Sequence, residues 1–327
     1  MAQGTESRGS FSPASSKIAI VGVGRVGATF AYTLVLRGLV SEIALIDLDV
    51  ERAKGEAMDL GHSAPLASPV RVCAGSYEQC AEADIVMIAA GVAQKEGESR
   101  LDLLKRNAEV FENVVRQVVE SNPGAILLIA TNPVDVMSFV AWKLSGLPSE
   151  RVIGSGTVLD TARFRYLLSQ HLTVDPRNIH AYVIGEHGDS EVAVWSRATV
   201  AGIPLDEYCR HAGCRITAEF RDTVEQDTRN AAYEIIERKG ATYYAVAAAL
   251  LRISESILLD QRSILPVSTL VPAEYGLGEV YLSLPSVLGR RGVTRTLEIP
   301  LSESEAEAIH RSAEILGETL AGMGFFR

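Results

Sequence analysis

Lys17-Ile18-Ala19-Ile20-Val21-Gly22-Val23-Gly24-Arg25-Val26-Gly27 joins a short apolar, β-branched run to three glycines, and a stretch with Phe30 and Leu34 at helical spacing follows. A run of this kind reads as a strand buried on both faces of a parallel sheet. The glycines therefore stand at a strand-to-helix turn. There they serve a tight turn, close approach of backbone to a pyrophosphate, and close packing of helix on strand. The helix N-terminus offers N–H groups and a positive dipole end to phosphates. Glu42-Ile43-Ala44-Leu45-Ile46-Asp47 repeats the buried-strand pattern. Asp47 lies 20 positions after Gly27 (47 − 27). An acid there accepts hydrogen bonds from a ribose diol and repels a 2′-phosphate, which predicts NAD rather than NADP.

Residues 84–90 (DIVMIAA) and 125–130 (AILLIA) are further buried-strand runs, with helical segments between them. Strands alternating with helices imply βαβ units with right-handed crossovers. The fold class expected is α/β, a Rossmann-type doubly wound parallel sheet followed by an α+β substrate domain. In that second half, residues 178–184 read as a strand and 218–260 as helix broken near Gly240. Residues 264–300 carry strand and turn signals, and a last helix starts at Ser302 with a capping box to Glu305. The expected division is a disordered arm over 1–16, a dinucleotide-binding domain over 17–156 and a substrate domain over 157–327.

The net charge of −10 and the absence of a long basic run argue against a nucleic-acid partner. Cys73, Cys80, Cys209 and Cys214 form no CxxC pair and read as free thiols. The segment around Cys209-Arg210-His211-Ala212-Gly213-Cys214 lacks the second ligand pair that structural zinc needs, so no metal is expected. No secretory h-region and no membrane-length apolar stretch is found; the best candidate, 125–142, is broken by Asn132-Pro133 and Asp135. A cytoplasmic chain without a membrane partner is expected.

The chemistry-bearing residues lie in three segments: Gln94-Lys95-Glu96-Gly97-Glu98-Ser99-Arg100, Asp160-Thr161-Ala162-Arg163 and Gly185-Glu186-His187-Gly188-Asp189. Together with Gly22-x-Gly24-x-x-Gly27 and Thr131-Asn132-Pro133, they make the chain from Lys17 onward resemble the lactate/malate dehydrogenase family. Oxidising a 2-hydroxy acid needs a base for the hydroxyl proton, and His is the side chain suited to it near neutrality. The resemblance gives that role to His187, with Asp160 orienting the ring. Arg163, three positions on, shares a helical face with Asp160 and is suited to gripping the substrate carboxylate; a simple surface ion pair of the two is the alternative. Arg100, in a stretch resembling the family's mobile lid, would stabilise charge on the substrate carbonyl.

Cofactor contacts implied by the resemblance are Gly22, Gly24, Arg25, Val26, Gly27, Asp47, Gly91 and Asn132. Asn132 could equally serve the substrate or only the turn. Malate enzymes of the family carry Arg at the position of Gln94, and a neutral amide cannot pair with the second carboxylate of oxaloacetate. Pyruvate and lactate are therefore the expected substrates, with malate dehydrogenase activity as runner-up and a catalytically silent NAD-binding scaffold as the rival from another class. Thr242 resembles a residue near the substrate methyl group, or caps the helix after Gly240. Arg165 and His180 match positions at which bacterial members bind fructose 1,6-bisphosphate as activator, the alternative being a solvated helix arginine and an ordinary strand histidine. Homotetramers are usual in the family and are expected here.

Overall fold

The computed structural model describes residues 16–92 and 100–325, the side chain of Arg100 excepted. Its first half runs β1 (Lys17–Val21), α1 (Arg25–Arg37), β2 (Glu42–Ile46), α2 (Val50–Ser63), β3 (Arg71–Ala74), β4 (Ile85–Ile88), α3 (Arg100–Ser121), β5 (Ile126–Ile129), α4 (Val134–Ser145) and β6 (Val152–Gly154). The second half begins with α5 (Val158–Leu172) and five two-residue strands: β7 (Ile179–His180), β8 (Val183–Ile184), β9 (Val192–Ala193), β10 (Thr199–Val200) and β11 (Ile203–Pro204). It ends with α6 (Leu205–Ala212), α7 (Ala218–Lys239), α8 (Tyr244–Leu258), β12 (Ser263–Leu270), β13 (Tyr281–Gly289), β14 (Gly292–Thr296) and α9 (Glu303–Gly322).

Nine strands form one sheet in the order β14-β13-β12-β6-β5-β4-β1-β2-β3. β1 to β6 are parallel, in two halves that meet between β1 and β4. This is the expected Rossmann-type arrangement, and ligands of such sheets bind outside the carboxyl ends of the strands at that meeting point. The pairing of β12 to β6 is antiparallel and joins Ser268 to Gly154, with β13 and β14 antiparallel beyond it. The strand signals of 264–300 thus extend the main sheet, which local pattern alone did not foretell.

Both faces of the sheet are covered. Ile18 and Ile20 of β1 pack in one cluster with Phe30 and Leu34 of α1 and Ile253 and Ile257 of α8. Ala19 and Val21 pack in the other with Phe111 of α3, Phe139 of α4 and Leu316 of α9. Strict alternation along β1 feeds two cores, and each large side chain buried there contributes about 1.5–3 kcal/mol. A third cluster holds the second half together, with Phe164 of α5 edge-on to Trp195 at 4.8 Å and Val224 of α7 beside them.

Two local expectations need correction. Residues 178–184 are not one strand: β7 pairs with β10, β8 pairs with β9, and Ala181-Tyr182 separates them. Ser16 is not part of a free arm. It is buried, and its carbonyl accepts from the Ser41 and Glu42 N–H groups at 2.9 and 3.2 Å, extending the β1–β2 register by one residue; residues 1–15 lie outside the described residues. The helix at Ser302 has its capping box with Glu305, as expected. Among the described residues no helix is long and apolar enough to cross a membrane.

Candidate active site

The turn after β1 is built around its glycines. Gly22 has φ +94°, and a Cβ there would lie 2.6 Å from the Ala90 nitrogen at the end of β4. At Gly27 a Cβ would lie 2.1 Å from the Gly22 carbonyl oxygen, so the start of α1 packs directly on the turn. Gly24, by contrast, has none of the described residues within 4 Å of its missing Cβ. It is the N-cap of α1, and among the described residues no side chain caps that end. Uncapped N–H groups beside an open approach are what a pyrophosphate requires. Arg25 and Val26 are the first residues of α1, so their N–H groups belong to this end. Asp47 follows β2, its carboxylate accepting from Val23 N at 2.6 Å and Asp49 N at 3.0 Å. The acid is thereby fixed beside the turn with lone pairs left for a diol. Gly91 lies beyond β4, where a Cβ would press on Thr131 and Asn107 at 3.0–3.1 Å. Asn132, exposed after β5, sits on the same rim. These residues fit a dinucleotide.

The reacting half comes from three elements. Asp160 lies in the first turn of α5, buried, and its two oxygens serve different partners. His187 Nδ1 is 2.6 Å from Oδ2, and Arg163 Nη1 donates to Oδ1 at 2.7 Å. The expected alternative, a surface ion pair, does not describe this geometry, because the Asp160 and Arg163 side chains are 2% and 14% exposed. His187 follows β8, and its backbone N–H donates to Asp135 Oδ2 of α4 at 2.7 Å. Gly185 is bridged to Ser283 of β13 by two backbone hydrogen bonds, 2.9 and 3.0 Å, and Glu186 N donates to Ser312 Oγ of α9 at 2.8 Å. The histidine is therefore held by backbone contacts to both halves of the molecule.

Electrostatics follow from this packing. Burial opposes charge on His187, but the Asp160 carboxylate and its hydrogen bond outweigh burial and push the imidazole up to about 9. Burial also works to raise Asp160, yet the charge and hydrogen bond of His187, then Arg163, hold it below the ordinary carboxylate range. Asp135 is pushed up by burial to about 6, against the hydrogen bond from His187. A carboxylate orienting the ring from Nδ1 leaves Nε2 for proton exchange.

Other expected residues fall as follows. Thr242 and Arg163 line one largely apolar cleft of about 460 Å³, with Leu159, Ala231, Ile235 and Tyr243. Arg165 is turned onto its own chain, donating Nε to the Ala181 carbonyl at 2.9 Å and lying 5.3 Å from the Tyr182 ring centroid. His180 is exposed and pairs with Thr199 across β7 and β10. Gln94 lies outside the described residues, and of Arg100 only the backbone, at the start of α3, is described. Two acids next to the histidine carried no expectation: Asp135, read only as a break in an apolar stretch, and Glu191. The signal for Asp135 was an acid in the first turn of a helix whose residues from Val134 to Ala141 are all buried.

Family models of the lactate/malate dehydrogenases match nearly all of the chain: the NAD binding domain over residues 16–154 and the alpha/beta C-terminal domain over 157–323. An L-lactate dehydrogenase of Acetivibrio thermocellus is 52% identical over 304 residues, covering 93% of this chain and 96% of that one. One from Thermus aquaticus is 52% identical over 309 residues, 94% of this chain and 100% of the relative. Among solved structures, the minor L-lactate dehydrogenase of Enterococcus mundtii superposes with a TM-score of 0.91 at 40% identity, covering 96% of this chain and 99% of that chain.

Proposed function

The chain belongs to the lactate/malate dehydrogenase family, and from that premise we infer that it is an NAD-dependent L-lactate dehydrogenase with His187 as its acid–base group. It interconverts L-lactate and pyruvate. NAD bound along Gly22, Gly24, Arg25, Val26, Gly27, Asp47, Gly91 and Asn132 supplies the hydride acceptor and, reduced, the donor. The observation that supports the acid–base reading is the Asp160 carboxylate shared between His187 Nδ1 and Arg163.

In lactate oxidation, His187 Nε2 takes the hydroxyl proton, and Asp160 holds the tautomer and the imidazolium that results. In pyruvate reduction the same nitrogen returns the proton to the carbonyl oxygen. Arg163 spends one donor on Asp160 and keeps others for the substrate carboxylate. Arg100 stabilises charge on the carbonyl oxygen, Gln94 refuses a second carboxylate because a neutral amide cannot pair with it, and Thr242 serves the methyl end of the substrate. We assign the cofactor to a domain over 17–156 and the substrate to one over 157–327. A cytoplasmic homotetramer activated by fructose 1,6-bisphosphate at Arg165 and His180 completes the proposal.

His187→Asn should abolish pyruvate-dependent NADH oxidation with the fold intact; an unchanged rate would end the reading. Pyruvate saturation curves with and without fructose 1,6-bisphosphate test the activator: superimposable curves would remove Arg165 and His180 from that role.

A further inference from the structure

The loop carrying His187 runs on into Glu191, a second acid that is 8% exposed and has no part in the chemistry above. One carboxylate oxygen each from Asp160 and Glu191 and a ring nitrogen of His187 all lie within 4.8 Å of one another. No hydrogen bond or ion pair reaches the Glu191 carboxyl among the described residues. Its backbone carbonyl accepts from Arg229 Nη2 at 3.4 Å, and Arg229 Nε is buried without a partner among the described residues. Glu191 also lines a polar cavity of about 580 Å³ between α7 and α9, on whose rim Asp222 and Ser304 are exposed. The same side chain thus borders the acid–base pair and a space reached by solvent.

Two buried carboxylates this close do not both ionise readily. Burial, then the charge of Asp160, pushes Glu191 up to about 8, while His187, Arg229 and Arg163 pull it down. The other charged groups lining this cavity are Arg221, Asp222 and Glu225 of α7 and Glu305 of α9. Arg221 is paired with Asp206, Glu225 accepts from the Trp195 indole, and Glu305 is hydrogen-bonded to Ser196 and Ser302.

We propose that Glu191 is a positioning residue that stores a proton for the His187–Asp160 pair and exchanges it with water in the cavity behind. This rests on His187 being the acid–base group. With Asp160 ionised, neutral His187 beside protonated Glu191 carries the same net charge as imidazolium beside ionised Glu191. Moving the proton breaks one N–H bond and forms one O–H bond without changing the charge of the buried cluster, so little new desolvation is incurred. At up to 4.8 Å the transfer spans one water. Before lactate oxidation, Glu191 accepts the proton that His187 must shed. When the substrate proton arrives at Nε2, Glu191 releases its own to cavity water, and in pyruvate reduction the flow reverses.

The test is the pH dependence of kcat/KM for pyruvate reduction by the full-length wild type, Glu191→Gln and Glu191→Asp. No anion forms at position 191 in the Gln variant to retain the imidazolium, so its alkaline midpoint should fall by at least about one pH unit; Asp should restore most of the difference. Equal midpoints in wild type and a folded Glu191→Gln would overturn the proposal. Should Glu191→Gln not fold, wild-type enzyme decides. On rapid mixing with lactate and NAD in a weakly buffered indicator, proton release should coincide with NADH formation. A proton that lags until pyruvate departs sinks the idea. Either negative result leaves His187 in place as acid–base group, since that assignment is tested separately by His187→Asn.

Discussion

Asp160→Asn keeps the shape of the side chain and deletes the charge that holds the imidazole at 2.6 Å and the guanidinium at 2.7 Å. With Asp160 present, and against the opposing effect of burial, His187 rises from its ordinary 6.5 to about 9, a difference of about 2.5 units (9 − 6.5). At 1.36 kcal/mol per unit this is about 3 kcal/mol in favour of the imidazolium. In the variant only burial and more distant charges remain, so the midpoint should fall to about 6.5 or below. Pyruvate reduction uses the imidazolium, which is present below the folded-state value and lost as pH rises through it. Near pH 7.5, roughly a tenth of the variant's imidazole is charged against nearly all in wild type, a tenfold loss from proton occupancy alone. Lactate oxidation uses neutral imidazole and escapes that factor, so the two directions should suffer unequally. The same shift links to stability: the contribution of His187 is full below about 6.5 and gone above about 9, so wild-type Tm should decline across that window more steeply than the variant's. The assay is NADH absorbance in both directions across that range. An alkaline midpoint for pyruvate reduction equal to that of wild type would refute the account of Asp160.

Arg163→Lys replaces a planar fork by a point charge, so pyruvate kcat/KM should drop by about 100-fold with KM carrying most of it; an unchanged KM would remove Arg163 from the substrate carboxylate. Gln94→Arg supplies a cation for a second carboxylate, and the ratio of oxaloacetate to pyruvate turnover should rise by at least about 100-fold; a fixed ratio would place substrate choice elsewhere. Gly27→Ala puts a Cβ 2.1 Å from the Gly22 carbonyl oxygen, so the turn must shift. A cost of about 1–3 kcal/mol in stability and weaker NADH binding by fluorescence titration are expected, and unaltered NADH affinity would contradict a phosphate cradle at this turn.

What could be read of the fold depended on how each strand is buried. β1, β2, β4 and β5 lie inside the sheet with both faces covered, and each shows as a short apolar run. β3, at the sheet edge, has no fully buried residue, and β6 is three residues long; neither produces such a run. The junction of β6 with β12 depends on a contact 114 residues apart (268 − 154). It requires Gly154, where a Cβ would lie 2.4 Å from Ser138 Oγ and 2.8 Å from Ser268 Cβ. That is a property of three elements meeting, and no window of sequence contains it.

The site divides in the same way. Asp160 and Arg163 were readable as a pair because three positions bring two side chains to one helical face, and both contact the same neighbourhood in space. An ion pair and a substrate clamp looked like alternatives only because spacing does not reveal burial. A carboxylate has two oxygens, so Asp160 holds Arg163 with one and His187 with the other, and each contact strengthens the case for ionised Asp160. Asp135 and Glu191 escaped because neither lies within a periodic distance of His187 on a shared element. Asp135 reaches the histidine from α4 through a backbone N–H, and Glu191 lies along a loop whose folding brings it back toward the ring. The proton affinity of the imidazole is set by carboxyl groups from three separate places in the chain. Substitutions at any of them should therefore move its pH profile without touching the substrate, a consequence that a reading confined to the catalytic motif would miss.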